Sequence, residues 1–478
     1  MFTSLLFPIF LMVAATFYFL LPGKYRPAFL LIISWIFCAT ISIHSLIILI
    51  LISIFTFFAG KWIHAGVQKT GKSVSKHRMI LSVSACIFIL ATYKYLPYLS
   101  QNLKFIPDAA DDVLNNLIIP VGLSFYMFQA ISYLADIYLQ KCPVETDFIK
   151  YSLYLGYFAK FISGPIERES SFSDQLDTLD SVRFLHRGRL SLSVTYLLCG
   201  YFMKLVIADR LAFVTNALFD APGNFDSFFL VMGALLYTIQ IYCDFAGYSF
   251  ISMGCSLLFG IRLTANFHAP YCSKNITEFW RSWHMSLSSW LRDYVYIPLG
   301  GNRKGFLRKC INTIIVFVIC GMWHGAGFNF LAWGLLHGFY SVADAFSKKF
   351  RIKIPFSRTL TFFSVAFAWI FFKASGLKSA LFYLYSMLTL GVQKSQFLSF
   401  MQTLELNVVE TAVIAIGIFL IILCNMISYR KQEPLPELIQ HMGNLPRYLI
   451  FYLLIILLFI FGIYGPGYHS EQFIYMQF

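Results

Sequence analysis

Residues 316–334 read VFVICGMWHGAGFNFLAWG, an apolar run with one histidine, His324, set among glycines. Its polarity and length are those of a membrane span, which needs about 20 mainly apolar residues. A titratable side chain at that depth is expensive, so it usually lines a cavity or performs a task. The plainer reading is a buried imidazole hydrogen-bonded to a helix carbonyl, tying two spans together. Gly321, Gly325 and Gly327 let another backbone or a ligand approach closely, and Trp323 is placed to wall a cavity. On this stretch alone both readings stay open.

The chain around it is built for lipid. Of its 478 residues, 58% are hydrophobic and 13% charged, against about 25% charged in an average soluble domain. Runs such as LLFPIFLMVAATFYFLL (5–21) and LIFYLLIILLFIFGI (449–463) have the character of spans. Roughly eleven to thirteen such segments are present. They predict an all-α integral membrane fold, because helices satisfy their own backbone in hydrocarbon. No repeat of fixed period appears, nor matching halves of the kind found in transporters. A single polytopic domain over 1–478 is expected, in three zones. Residues 1–116 are N-terminal helices, 117–340 hold nearly all the unusual polar and aromatic residues, and 341–478 return to plain spans. The first run lacks a basic start and a small-residue cleavage pattern, so it reads as a retained helix.

Charge gives these spans a direction. The net charge is +14, and the segment KWIHAGVQKTGKSVSKHR (61–78) contains no acid, whereas KFIPDAADDVLNN (104–116) is acidic. The positive-inside rule puts the basic loop in the cytoplasm and the acidic one outside. Lys24 and Arg26 after the first span, and the segment 429–447 before the last, then also lie inside. A multi-pass protein of the cytoplasmic (inner) membrane is expected, with both termini outside. Charge asymmetry across spans accounts for the basic balance, so no nucleic-acid partner is expected. The ten cysteines are scattered, mostly in apolar runs, and form no Cys-x-x-Cys pair. Neither a disulfide framework nor a metal site is predicted.

A second unusual segment precedes the first. Residues 278–305 read EFWRSWHMSLSSWLRDYVYIPLGGNRKG, rich in Trp and Arg and carrying His284. The spacing of Trp280, Trp283, His284 and Leu287 follows helical steps and predicts that they share one face. Such a face is often an interfacial aromatic belt with snorkelling charges. Two histidines with aromatic neighbours in one zone also point to a shared polar cavity. His337 reads as a packing residue, and His44, His64, His77, His186, His441 and His469 as loop or interface residues. Pro298, Gly300 and Gly301 predict a turn that ends the polar helix. Arg303, Lys304, Arg308 and Lys309 then form a cytoplasmic basic lip. That lip is an ordinary positive-inside loop or a surface attracting a donor with phosphates, such as acetyl-coenzyme A, or an acidic carrier.

A buried imidazole is held neutral because its charged form is poorly solvated. A neutral imidazole can take the proton of an alcohol as that alcohol attacks an acyl carbon. The chain has no Gly-x-Ser-x-Gly motif, which argues against a serine-hydrolase mechanism. Direct attack of an acceptor hydroxyl on a thioester fits better. Trp283 and Trp323 are candidate lining residues. Tyr242, Asp244 and Asn329 are candidates to orient the imidazole or line its cavity.

These residues carry a resemblance to the membrane-bound O-acyltransferase (MBOAT) family, in its branch of alginate and peptidoglycan O-acetyltransferase membrane subunits. The resemblance runs from YFLLPGKYRPAFLLIISWIF through PVGLSFYMFQAISYLADIY, ISGPIER, KLVIADRLA and QIYCDFAGYS to WRSWHMSLS, GMWHG and the final EQFIYMQF. It implies a ring of tilted helices around a central tunnel, with His324 as catalytic histidine and His284 as the second active-site histidine. It implies an acyl group that enters as a cytoplasmic thioester, from acetyl-coenzyme A or an acyl carrier, and leaves on an outside acceptor. No bound cofactor is implied. A secreted or membrane-anchored acetyltransferase partner would place the acetyl group on a polysaccharide. The segment LRDYVYIPLGGNRKG favours this branch over the teichoic-acid D-alanylation proteins, which share the WHMS block. Two departures stand out: Phe250 occupies a position where the branch often has Asp, and Phe328 one where Trp is common. The first leaves Asp244 as the acid at hand, and the second predicts a changed tunnel lining. Without the resemblance, a transporter with a proton-relay histidine or a scaffold for a polysaccharide export machine would also fit.

Overall fold

The computed structural model describes residues 2–69, 71–102, 118–162, 164–184, 186–391 and 407–464. The acidic segment 104–116, the tail from 467 and His469, all given roles above, lie outside the described residues. Regular structure among the described residues is helical throughout. Among the described residues, eight helices are long and apolar enough to cross a bilayer. The larger number of apolar segments counted in the sequence also takes in shorter helices such as Leu6–Leu20. Contacts sort the chain into two compact units whose limits do not follow the three zones of the sequence.

One unit comprises Pro8–Ser193 and Ser252–Thr264. It contains most of α1 (Leu6–Leu20), then α2 (Arg26–Ile41), α3 (Ile43–Lys69), α4 (Lys72–Asn102), α5 (Leu123–Tyr138), α6 (Phe148–Gly156) and α7 (Glu169–Leu176). Helix α3 packs against α2, α4, α5 and α6. Hydroxyls inside these apolar helices have no water to bond, so they turn back on the preceding turn. Ser34 donates to the Leu30 carbonyl at 2.6 Å, Ser53 to Leu49 at 2.7 Å and Thr56 to Ile52 at 2.6 Å. The fully buried Lys160 donates to the Gln129 side chain and the Tyr154 carbonyl, which compensate its burial.

The other unit comprises the described parts of Met1–Phe7, Val194–Ile251 and Ala265–Gln477. The second half of helix α8 (Arg187–Tyr201) belongs here and passes through a π-helical stretch, Phe202–Ala208, into α9 (Asp209–Asp220). Next come most of α10 (Ser227–Leu258), the short α11 (Ile276–Ser282) and α12 (Met285–Leu291), and α13 (Phe306–His324) with α14 (Phe328–Lys349). Helices α15 (Ser357–Lys373), α16 (Leu377–Thr389), α17 (Val408–Lys431), α18 (Leu435–Gln440) and α19 (Asn444–Phe461) complete it. Asn275 and Asn407 start α11 and α17, each side chain accepting from a backbone N–H three residues on, at 3.0 and 2.8 Å.

The hairpin of α13 and α14 is the element that positions the predicted site. Gly321 of α13 faces Gly334 of α14, and a Cβ on Gly334 would lie 3.2 Å from the Gly321 Cα. The same Cβ would collide with the Phe317 carbonyl oxygen, and one on Gly321 would collide with the Phe330 carbonyl oxygen. The two backbones therefore approach as only glycine permits. This seam brings Trp333 against the end of α13, where His324 sits. Gly334→Ala is expected to lower the melting temperature of the detergent-solubilised protein, since overpacking a seam costs about 1–3 kcal/mol. Gly376→Ala, where a Cβ meets nothing within 4 Å, should leave it unchanged.

Candidate active site

His324 is the last residue of α13, which stops because Gly325 turns into extended backbone. The imidazole is 3% exposed. Its ring packs nearly perpendicular to Trp333 at 4.9 Å and edgewise on Trp323 at 4.8 Å and Phe372 at 5.2 Å. Helices α13, α14 and α15 thus each supply one wall. His324 lies in the last turn of α13, and a helix C-terminus favours a transient positive charge by roughly 0.3–1 kcal/mol.

The sequence predicts Trp280, Trp283, His284 and Leu287 on one helical face, and the structure overturns this. Helix α11 ends at Ser282, and His284 adopts left-handed backbone, φ +43° and ψ 56°, before α12 begins. A non-glycine residue rarely adopts that conformation without being held there. The restraint is the strap after α10. The Asn266 carbonyl accepts the Met285 N–H at 3.0 Å, and the His268 N–H donates to the Ser282 carbonyl at 3.0 Å. Asn266 Oδ1 accepts from Ser286 N–H at 3.2 Å and from the Ser286 hydroxyl at 2.8 Å.

The same Oδ1 lies 3.3 Å from His284 Nδ1. An amide oxygen has no proton to give, so Nδ1 is the donor and Nε2 becomes the acceptor nitrogen of the ring. His284 is completely buried, and burial pushes its imidazole down to about 3, so it is neutral at ordinary pH. Its ring meets Phe245 at 4.7 Å and Trp323 at 6.0 Å. Trp323 therefore touches both histidines and stands between them in the chain of ring contacts.

The other predicted residues fall into distinct places. Trp283 packs on Trp369 at 5.0 Å, Trp369 stacks on Trp333 at 5.7 Å, and Trp333 meets His324, so Trp283 belongs to the outer part of the same aromatic cluster. Tyr242 joins it against Trp283 at 6.3 Å and donates its hydroxyl to Asn425 at 2.9 Å. Asn329 donates to the Phe371 and Ala374 carbonyls at 3.2 and 3.0 Å, so it ties α14 to the end of α15 instead of orienting an imidazole. Asp244 bonds Lys204 at 2.6 Å, and Lys204 also pairs with Asp209 at 2.7 Å. This buried ionic cluster sits on the π-helical stretch and α10, a local distortion often found at functional sites. Phe328, expected in a tunnel lining, is 63% exposed.

Arg303 and Lys304 lie exposed in the turn before α13, where Gly300 and Gly301 take φ values of +105° and +52°. Asn312 of α13 holds that turn through the Gly301 carbonyl at 3.1 Å. Since α13 rises about 1.5 Å per residue, the lip and His324 are separated by roughly 27 Å. The end of α14 returns to the lip: Lys349 lies 4.2 Å over the Phe306 ring. His337 accepts from Trp280 Nε1 at 3.2 Å and packs on Trp333 at 5.0 Å, consistent with the packing role expected for it.

Several site residues escaped the sequence reading. Asn266 stands alone in TANFHAP with no spacing that links it to His284. Trp333, Trp369 and Phe372 are ordinary apolar positions until tertiary packing brings them round His324. Lys204 could have been suspected as a lone cation within an apolar run.

The chain is similar to known proteins over most of its length. The family model of MBOAT, the membrane-bound O-acyltransferase family, matches residues 36–386. The chain is 34% identical to the probable alginate O-acetylase AlgI of Pseudomonas putida over 79% of its own length and 77% of that protein. It is 34% identical to the peptidoglycan O-acetyltransferase of Helicobacter pylori, over 69% of its own length and 67% of that protein. It is 27% identical to the teichoic acid D-alanyltransferase of Bacillus subtilis, over 72% of its own length and 88% of that protein. A multi-pass membrane chain with two aromatic-walled histidines, matched across most of its length, belongs to the membrane-bound O-acyltransferase family and is an acyltransferase.

Proposed function

We propose that this protein takes an acetyl group from a cytoplasmic thioester and passes it across the membrane for O-acetylation of a secreted or cell-envelope polysaccharide. The observation that carries the reading is the pair of buried imidazoles, His324 and His284, on either side of Trp323. The relatives named for O-acetylation are more similar to the chain than the D-alanyltransferase, which favours acetyl as the group moved.

In this mechanism His324 is the general base. It takes the proton of an acceptor hydroxyl as the oxygen attacks the thioester carbon, the C–S bond breaks, and the thiolate leaves with the proton returned to it. The surrounding rings exclude water, which would otherwise hydrolyse the thioester. His284, with Nδ1 bonded to Asn266, offers Nε2 as an acceptor and positions a substrate hydroxyl. The donor, acetyl-coenzyme A or an acyl carrier, binds by its phosphates or acidic surface at the lip of Arg303 and Lys304. A secreted or membrane-anchored acetyltransferase partner then completes transfer to the glycan.

His324→Ala should reduce polysaccharide acetylation by about 10²–10⁴-fold at normal protein level. Full acetylation in this variant would leave only a scaffold, and substrate flux without any thioester donor would mean a transporter. Asn266→Ala should lower kcat by about 10²-fold through misplacement of His284. Asn266→Asp, which keeps an acceptor oxygen at that place, should restore most of it; failure to recover in a folded protein would overturn the positioning role. The double reversal Arg303→Glu, Lys304→Glu should raise KM for the donor at low ionic strength while kcat holds. That difference should fade towards roughly 1 M salt, where the screening length is about 3 Å.

A further inference from the structure

The unit formed by Pro8–Ser193 and Ser252–Thr264 carries a groove of about 340 Å³ between α3 and α4, far in sequence from the histidines. Phe55, Phe58 and Trp62 of α3 and Leu81, Ser82 and Ala85 of α4 line it. Phe55, Phe58 and Trp62 fall three and four residues apart, and Ala85 follows Leu81 and Ser82 by four and three, so each set lies on one helical face. Arg78 lies one turn before Ser82 on that same face of α4, so the apolar groove ends in a guanidinium at the α3–α4 loop. Arg78 is fixed there: one Nη donates to the Trp62 carbonyl at 2.7 Å, and the guanidinium lies 5.1 Å over the Trp62 indole. Lys61, one residue before Trp62, holds its ammonium 4.0 Å over the Phe57 ring. The whole segment 61–78 contains no acid.

We propose that this groove is a binding site for an anionic phospholipid, with an acyl chain along the α3–α4 seam and the phosphate on Arg78. Charge complementarity selects this occupant. An apolar helix seated in the groove would leave the guanidinium facing hydrocarbon, which is costly. A zwitterionic lipid brings its own ammonium to the Arg78 guanidinium, whereas an anionic headgroup gains from that cation and from the acid-free segment 61–78 around it. Trp62, 45% exposed at the same end, is the side chain expected at headgroup depth. The site is independent of the acyl-transfer reading.

The test is native mass spectrometry of the full-length protein in detergent, titrated with phosphatidylglycerol and, separately, phosphatidylcholine. Phosphatidylglycerol should be retained in preference, and Arg78→Gln should weaken that retention about fivefold. Ala85→Trp, which fills the groove and leaves Arg78 in place, should abolish it. If that variant does not fold, Leu81→Trp at the exposed rim serves the same purpose. Glycerol 3-phosphate alone should not compete. Equal retention of both lipids, or Arg78→Gln behaving as wild type, overturns the proposal. Competition by glycerol 3-phosphate would make this an ion site and no lipid site. Efficient disulfide cross-linking of Phe58→Cys between two copies in nanodiscs would make the groove an interface between copies.

Discussion

Hydrocarbon offers no hydrogen bonds, and that one constraint shapes every polar feature of this protein. Helices close their own backbone bonds, and the hydroxyls of Ser34, Ser53 and Thr56 close theirs on the preceding turn. Charges follow the same rule. Lys204 is buried only because Asp209 and Asp244 meet it, and Arg210 because Glu410 and the carbonyls of Val206 and Phe461 do. A polar group kept at such cost, with no span of its own to support it, stands out. His284 is that group: it sits between two short helices, held in left-handed backbone by a strap through Asn266.

The two histidines are placed by different devices. His324 depends on a seam of glycines, where α13 and α14 come so close that Trp333 is pressed against the imidazole. His284 depends on one amide oxygen that serves Ser286 twice and the ring once. The first device is rigid packing and the second is hydrogen bonding. Trp323, adjacent to His324 in the chain and in ring contact with His284, joins them. Both devices hold an imidazole in place among aromatic rings and away from water.

Much of this was legible in the chain. Apolar length predicts spans, because twenty residues of helix match the bilayer whatever their neighbours do. His324 was legible because an ionisable group in an apolar run is rare enough to need a reason. The turn at Gly300 and Gly301 was legible because local backbone chemistry decides it. Other readings failed for an identifiable cause. Helical spacing put His284 on a face with Trp280 and Trp283, but periodicity has no way to register a strap more than ten residues upstream that breaks the helix. Asn329 and Asp244 looked like partners for an imidazole because they are polar and near in sequence. Nearness along the chain does not decide which carbonyl or ammonium lies across the gap.

By itself, then, the sequence determined the solvent this protein folds in, the helices that follow from it, and the residue types available for proton transfer. These are properties of composition and of short runs, each governed by local free energies of transfer and backbone conformation. Only the tertiary structure decided which nitrogen of His284 carries the proton, which rings wall His324, and that the basic lip lies a full helix away from it. Those depend on contacts between segments far apart in the chain, whose meeting is set by the packing of glycine seams and aromatic rings as a whole.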